Sequence, residues 1–249
     1  MTGPDALAVA AAGLAAGAIN TIVGSGSLIT FPTLLAVGYP AVLANVSNTI
    51  GLVPGSISGA IGYRRELAGQ RRRIFVLLPA AIAGGIVGAT LLLLAPGAFS
   101  DVVPVLILIA VALVLIQPWV ARRRANAGRV VEHPGPLLQV GVFLTSVYGG
   151  YFGAAQGVIF LALLALTLDD DLQRLNGVKN VIAAVVNGVA AVYFIARHDV
   201  AWVAVLILVI TSTIGGQLGA LWGRRIPANV LRIAIAVVGT AVAIKLLVD

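Results

Sequence analysis

The stretch VGSGSLITFP, Val23–Pro32, decides how the first apolar run of the chain folds. Two serines alternate with Gly24 and Gly26, and a proline follows six residues after the second glycine. A membrane-spanning helix normally lacks such a cluster, because glycine and proline leave backbone groups without partners. The surrounding run, Leu7–Val37, is also long for one span and short for two, since a span takes about 20 residues. The string therefore predicts a helix that is broken inside the membrane.

The composition indicates a helical membrane protein. The 249 residues are 60% hydrophobic and only 10% charged, whereas soluble domains carry about 25% charged residues. The stretches 74–95, 102–121 and 200–223 contain no charge at all, and each is long enough to cross a bilayer. We predict a multi-pass protein of the cell inner (plasma) membrane, surrounded by lipid.

The charged residues indicate orientation and exclude several partners. The net charge of +7 comes from arginines in short loops, mainly 64–73 and 122–129. Basic loops lie on the cytoplasmic side of membrane proteins, so this distribution argues against a nucleic-acid partner. The chain has no cysteine, which excludes disulfides and thiolate metal sites. The acidic run Asp169–Asp171 is read as a solvated loop rather than a metal site, and we predict no metal and no cofactor.

The two halves of the chain are similar to each other. A shift of 131 residues without a gap places Gly26 on Gly157 and Asn45 on Asn176. The same shift superimposes the glycine-rich string at 84–89 on the one at 215–220. One ungapped register that joins several such matches indicates an internal duplication.

This duplication defines the predicted organisation. Residues 1–120 form a first transmembrane repeat, 121–136 a basic cytoplasmic linker, and 137–249 a second transmembrane repeat. The fold class is an all-α polytopic membrane protein. Each repeat consists of a Gly-broken re-entrant segment or short helix pair followed by three transmembrane helices.

The relative orientation of the repeats depends on the broken runs. If each run returns to its starting side, each repeat crosses the membrane an odd number of times and the second is inverted. Arg64–Arg73 and Arg224–Arg225 then share the cytoplasmic side, opposite the loop Arg197–Asp199. If each run crosses once, the repeats are parallel and Arg224–Arg225 lie outside. The positive-inside rule favours inverted repeats.

Paired breaks in inverted repeats are typical of transporters whose anionic substrate faces half-helix N-termini. The second break is Gly153–Gly157, in YGGYFGAAQG. Glycine allows a ligand to approach the backbone, and helix N-termini attract anions. The glycine-rich strings at 84 and 215 are instead read as helix-packing surfaces.

Polar residues near the breaks are the candidate substrate-binding residues, because intramembrane polar groups usually face inward. The set comprises Asn20, Gly24, Ser25, Gly26, Ser27, Asn45, Ser47, Asn48, Gln156, Gly157, Asn176, Lys179, Asn180 and Asn187. Lys179 has two interpretations: a fixed charge that attracts an anion, or a side chain that reaches the interface or pairs with Asp169–Asp171.

The chain resembles the sulfite exporter TauE/SafE family over Leu7–Leu247. The resemblance rests on the Gly-rich break followed by PTLL, on LANVSN at residues 43–48, and on the Arg-rich loop with a weaker second copy. It implies transport of small anions such as sulfite, sulfoacetate or other organosulfonates, with Gly24, Gly26, Pro32, Asn45, Ser47 and Asn48 at the matching positions. The second break departs from the pattern, since Leu163 stands where Pro32 stands in the first.

Other functions fit the sequence less well. An intramembrane serine protease needs a base beside its serine, and neither histidine lies within a predicted span. GSGSLIT lacks the lysine of a nucleotide-binding loop, so transport would be driven by a gradient or be passive. We predict a non-enzymatic secondary transporter, an exporter of small anions. An anion channel, or a carrier of small carboxylates or other non-sulfur anions, is the alternative, and the sequence leaves the oligomeric state undefined.

Overall fold

The computed structural model describes residues 1–124, 134–222 and 228–248. Most of the predicted linker and the pair Arg224–Arg225 lie outside these residues. The described helices are α1 (Gly3–Ile22), α2 (Ser27–Ala36), α3 (Ala41–Gly62), α4 (Arg71–Leu94), α5 (Pro96–Arg124), α6 (Pro136–Tyr151), α7 (Gln156–Thr167), α8 (Leu172–Arg197), α9 (Trp202–Trp222) and α10 (Ala228–Val248).

The all-α fold class is confirmed. Among the described helices, α1, α4, α8 and α9 and the Pro96–Ile116 part of α5 are long and apolar enough to cross a membrane. At the first break, where a re-entrant segment or a pair of short helices is predicted, α2 has 10 residues and α1 has 20, so α1 alone is long enough to cross the membrane. The side chain of Thr2 and that of Asp5 form a capping box that starts this helix, and such caps stabilise the first turn.

The helix order of the first half recurs in the second. The 131-residue shift seen in the sequence places α1–α5 on α6–α10 in order. It also pairs Gly24, at φ +90°, with Ala155, at φ +61°. These are equivalent turning points, because a left-handed residue cannot continue a right-handed helix.

The long helices of each half pack mainly on helices of the other half: α1 lies along α9, and α4 lies along α6. The glycine-rich strings line these contacts. A Cβ atom on Gly219 of α9 would lie 2.7 Å from Ala18 Cα of α1, and one on Gly88 of α4 would lie 2.7 Å from Tyr151 N of α6. The prediction that these strings pack helices is confirmed, since any side chain there would separate the backbones.

An ion-pair cluster joins the two halves at the start of α4 and α8. Asp170 accepts from Arg73 at 2.6 Å and from Arg174 at 2.7 Å. The expectation of a solvated acidic loop is therefore wrong for Asp170, although Asp169 and Asp171 are exposed. Partial burial alone would raise the pKa of the Asp170 carboxyl, but hydrogen bonds from Arg73, from the backbone N–H of Asp171 and from Arg174 together lower it.

Candidate functional site

The two helix breaks meet in space. The backbone N–H of Gly157 donates to the carbonyl oxygen of Gly24 at 3.1 Å, and a Cβ atom on Gly24 would lie 2.6 Å from Gly157 Cα. Beside this contact, the rings of Phe31 and Phe152 pack edge to face at 5.3 Å between centroids. Only glycine on both sides allows the two backbones to approach this closely.

Four helix ends converge at this crossing. α1 and α6 end there, and α2 and α7 begin there. The helix dipole makes the ends of α1 and α6 negative and the starts of α2 and α7 positive. Each end also leaves backbone groups without helical partners, so the surrounding side chains must satisfy them.

Three side chains of α8 satisfy the negative end of α1. Lys179 Nζ donates to the carbonyl oxygens of Asn20 at 3.0 Å and Thr21 at 3.2 Å. Asn176 and Asn180 donate to the same Thr21 oxygen at 3.1 Å and 3.3 Å. A cation with two amides at a helix C-terminus is the arrangement that the dipole favours.

The end of α6 is satisfied in an equivalent way by α3. Asn45 Nδ2 donates to the carbonyl oxygen of Tyr151 at 3.0 Å. Asn45 occupies the position in the first half that Asn176 occupies in the second. Asn45 and Asn176 thus donate to equivalent helix ends, and each of these ends belongs to the half that does not contain the asparagine.

Lys179 is a buried cation without a counter-charge among the described residues. Its exposed fraction is 0%, so it does not reach the interface, and the described ion pairs of the acidic loop join Asp170 to arginines instead. The helices packed around it, α1, α3, α4, α6 and α7, contain one carboxylate, Asp5. Asp5 lies about 22 Å along α1 from Asn20, at 1.5 Å per residue. The alternative interpretation of Lys179 is therefore wrong.

Polar pairs hold the starts of α2 and α7. Asn48 Nδ2 donates to Ser27 Oγ at 3.1 Å, and Asn48 Oδ1 accepts from Thr30. On the other side, Gln156 Nε2 donates to Asn187 Oδ1 at 2.5 Å. These bonds tie α2 to α3 and α7 to α8, which fixes the two positive helix ends.

Asn20, in the last turn of α1, supports the first break. Its Oδ1 accepts from the backbone N–H of Gly26 at 3.4 Å, and its Nδ2 donates to Ser56 Oγ at 3.3 Å. With the bond from Gly157 to Gly24, this means that the backbone N–H groups of both Gly26 and Gly157 are already bonded. These two glycine amides are therefore taken up by the protein itself and are not free for a ligand.

The structure leaves several polar atoms of the crossing without partners. Among the described residues, Ser25 Oγ, Asn45 Oδ1, Asn176 Oδ1 and Gln156 Oε1 are buried and accept or donate no hydrogen bond. Ser47, a predicted site residue, bonds away from the crossing. Its Oγ accepts from the backbone N–H of Ala201 at 3.0 Å, in the loop between α8 and α9. Unsatisfied buried polar atoms are uncommon in folded proteins.

Sequence reasoning missed Thr21, Thr30 and Tyr151. Thr21 and Tyr151 contribute carbonyl oxygens, which no side-chain pattern reveals. Their position directly before the breaks was the available signal, because the last carbonyls of a helix lack helical donors. Thr30 lies three residues after Ser27, on the same face of α2.

Fold and site together define a multi-pass helical membrane protein of the plasma membrane, built around two touching helix breaks. The family description "Sulfite exporter TauE/SafE" matches residues 9–246. The chain belongs to this family.

Several relatives are similar over nearly their whole length. The chain is 27% identical over 240 residues to the probable membrane transporter protein ORF9 of a Sinorhizobium species, covering 94% of this chain and 89% of the relative. It is 23% identical over 238 residues to the probable membrane transporter protein YfcA of Escherichia coli K12, covering 94% and 86%. A probable membrane transporter protein of Haemophilus influenzae is 27% identical over 220 residues, covering 88% and 85%. No solved structure matches the chain.

Proposed function

We propose that the chain is a secondary transporter that binds a small anion at the crossing of the two breaks and exports it across the membrane. Lys179 is the observation that carries this proposal. Its ammonium group is fully buried and bonded only to two carbonyl oxygens in the described part of the chain. An ion buried without a partner loses several kcal/mol of solvation free energy, and a bound anion would supply that partner.

The helix ends support the same site. Asn20 lies between Lys179 and the start of α2, because its carbonyl oxygen accepts from Lys179 and its Oδ1 accepts from the backbone N–H of Gly26. The start of α7 touches the first break at Gly24, and the negative ends of α1 and α6 are covered by amides and by the lysine itself. The crossing therefore presents a net positive field to a ligand. Ser25 Oγ, with no partner among the described residues, is a candidate donor to the anion.

Contacts at the crossing support a carrier over a channel and over an enzyme. The backbones of Gly24 and Gly157 touch, so an open pore would require them to separate. A serine nucleophile needs a hydrogen-bonded base, and Ser25 has none among the described residues. The membership of a transporter family favours the same conclusion.

The substrate class comes from the family. Its description names sulfite, and we propose sulfite, sulfoacetate or another organosulfonate as the exported anion. A tetrahedral sulfonate would place one oxygen on Lys179 Nζ and others toward Ser25 and the start of α2. A charge-assisted hydrogen bond of this kind contributes about 1.5–3 kcal/mol.

Replacing Lys179 tests the site directly. We expect Lys179→Gln to weaken sulfite and sulfoacetate binding about tenfold or more, measured by titration calorimetry on the purified protein and by anion exchange in proteoliposomes. Arg64→Gln is the matched control, because it removes the same charge from an exposed side chain. Equal affinity in a folded Lys179→Gln protein would remove the lysine from the site.

We also propose that the two halves are inverted with respect to each other. Single cysteines at Arg72 and Asp199 test this, because both residues are exposed and follow equivalent helices of the two halves. Inverted halves place the two cysteines on opposite sides of the membrane, as seen by impermeant maleimide labelling of intact cells. Labelling from the same side would mean parallel halves.

A further inference from the structure

Two of the unpartnered atoms at the crossing are hydrogen-bond acceptors with a fixed direction. Asn45 Oδ1 and Asn176 Oδ1 have no partner among the described residues, and the two side chains are 0% and 4% exposed. The amide nitrogen of each is committed to a backbone carbonyl, that of Tyr151 or Thr21. Turning either amide over would place oxygen against oxygen, so both carbonyl oxygens stay directed away from these helix ends.

The remaining unpartnered amide oxygen does not share this property. Gln156 Oε1 is the nearest atom to the position that a Cβ on Gly149 would occupy, so it lies against the backbone of α6. We therefore do not expect Gln156 Oε1 to contact the ligand. Asn45 and Asn176, by contrast, occupy equivalent positions in the two halves.

Lys179 and Asn176 are immediate neighbours. Both donate to the carbonyl oxygen of Thr21, at 3.2 Å and 3.1 Å. The Lys179 ammonium group and the free Asn176 amide oxygen are therefore close enough for one small molecule to contact both. A bare sulfonate or sulfate has acceptor oxygens only, and bound at Lys179 it would leave the neighbouring Asn176 oxygen buried and unpaired beside its own negative charge.

We propose that the anion preferred for transport carries a hydrogen-bond donor, a hydroxyl or ammonium group, a few bonds away from its anionic group. Sulfoacetate and the sulfite dianion, which have no such donor, then bind the same site more weakly. This inference rests on the proposed anion site at Lys179. The anionic group binds Lys179, and the donor reaches the oxygen of Asn176 or Asn45. Sites that hydrogen-bond a substrate hydroxyl reject the analogue without it, because their own buried polar groups are then left unpaired.

Matched ligand pairs test the proposal on the purified full-length protein. Isethionate and propane-1-sulfonate differ by a hydroxyl in place of a methyl group, and so do glycolate and propionate. For any pair that binds, we expect titration calorimetry to show that the hydroxyl-bearing ligand has a dissociation constant at least about tenfold lower than its methyl analogue. A tenfold difference equals about 1.4 kcal/mol of binding free energy. In Asn45→Ala or Asn176→Ala this ratio should fall toward one, a change that loss of folding stability alone would not produce.

The outcomes separate the inference from the proposed function. Equal affinities within a pair, or a tighter methyl analogue, would overturn the donor requirement while leaving an anion site that Lys179→Gln still weakens. A preserved ratio in both asparagine variants would likewise overturn it. If neither pair, sulfite nor sulfoacetate binds at all, the anion site itself fails, and the inference fails with it. The comparison on the unsubstituted protein stands even where an asparagine variant does not fold.

Discussion

Adding one methyl group at the crossing of the breaks should destabilise the fold strongly. In Gly24→Ala, the new Cβ would lie 2.6 Å from Gly157 Cα, at a residue whose φ is +90°. A left-handed conformation costs a non-glycine residue about 1–2 kcal/mol, and overpacking a well-packed contact costs about 1–3 kcal/mol. We therefore expect the free energy of unfolding to fall by about 2–5 kcal/mol, measured by reversible unfolding in mixed detergent micelles.

Alanine substitutions at two further glycines measure the conformational cost and the overpacking cost separately. Gly38 also has a positive φ, +99°, but a Cβ there would meet nothing within 4 Å, so Gly38→Ala should show the conformational cost of about 1–2 kcal/mol alone. At Gly157 a Cβ would lie 2.6 Å from Gly24 Cα, without a positive φ, so Gly157→Ala should show the overpacking cost of about 1–3 kcal/mol. If Gly24→Ala unfolds no more easily than Gly38→Ala, the breaks do not touch as described.

Two other perturbations probe the contacts between the halves. Gly219→Ala places a Cβ 2.7 Å from Ala18 Cα and should lower the unfolding free energy by about 1–3 kcal/mol. The control Gly188→Ala, whose Cβ meets nothing within 4 Å, should raise the unfolding free energy by about 0.5–1 kcal/mol. Equal effects of the two substitutions in the same unfolding assay would contradict the α1–α9 packing. Asp170→Asn removes two ion pairs and should lower stability by about 1 kcal/mol. Because the pKa of Asp170 lies below its ordinary 3.8 in the folded protein, this contribution is present at neutral pH and disappears as the pH falls through that lowered pKa. A difference between the two proteins that persists in strong acid would rule out the ion pairs as its source.

The sequence predicted the helices well because the signals for them are local. Apolar runs and glycine breaks depend only on neighbouring residues, so the membrane helices and both breaks follow from them. The 131-residue register also predicted that the breaks are equivalent. The environment of Lys179 could not be predicted, because its partners are backbone carbonyls at the end of α1, and side-chain patterns do not report carbonyl positions.

The remaining differences between the sequence predictions and the structure also come from contacts between residues that lie far apart in the chain. Ser47 lies in the polar stretch of α3 but faces the loop before α9, and the sequence does not fix where that loop lies. Asp170 pairs with Arg73 across nearly a hundred residues of chain, so local composition described it only as acidic. These contacts exist because the two halves interlock, which is a property of the tertiary structure.

The interlocked packing of α1 on α9 and α4 on α6 has a consequence for how such a chain can arise and be assembled. A half synthesised alone would expose the glycine-lined faces of its own long helices, and only a second half could cover them. We therefore expect the first-half helices to complete their packing only after the second half has been inserted. If the internal duplication predicted from the 131-residue register holds, a single-repeat ancestor would have needed a second identical chain to cover these faces.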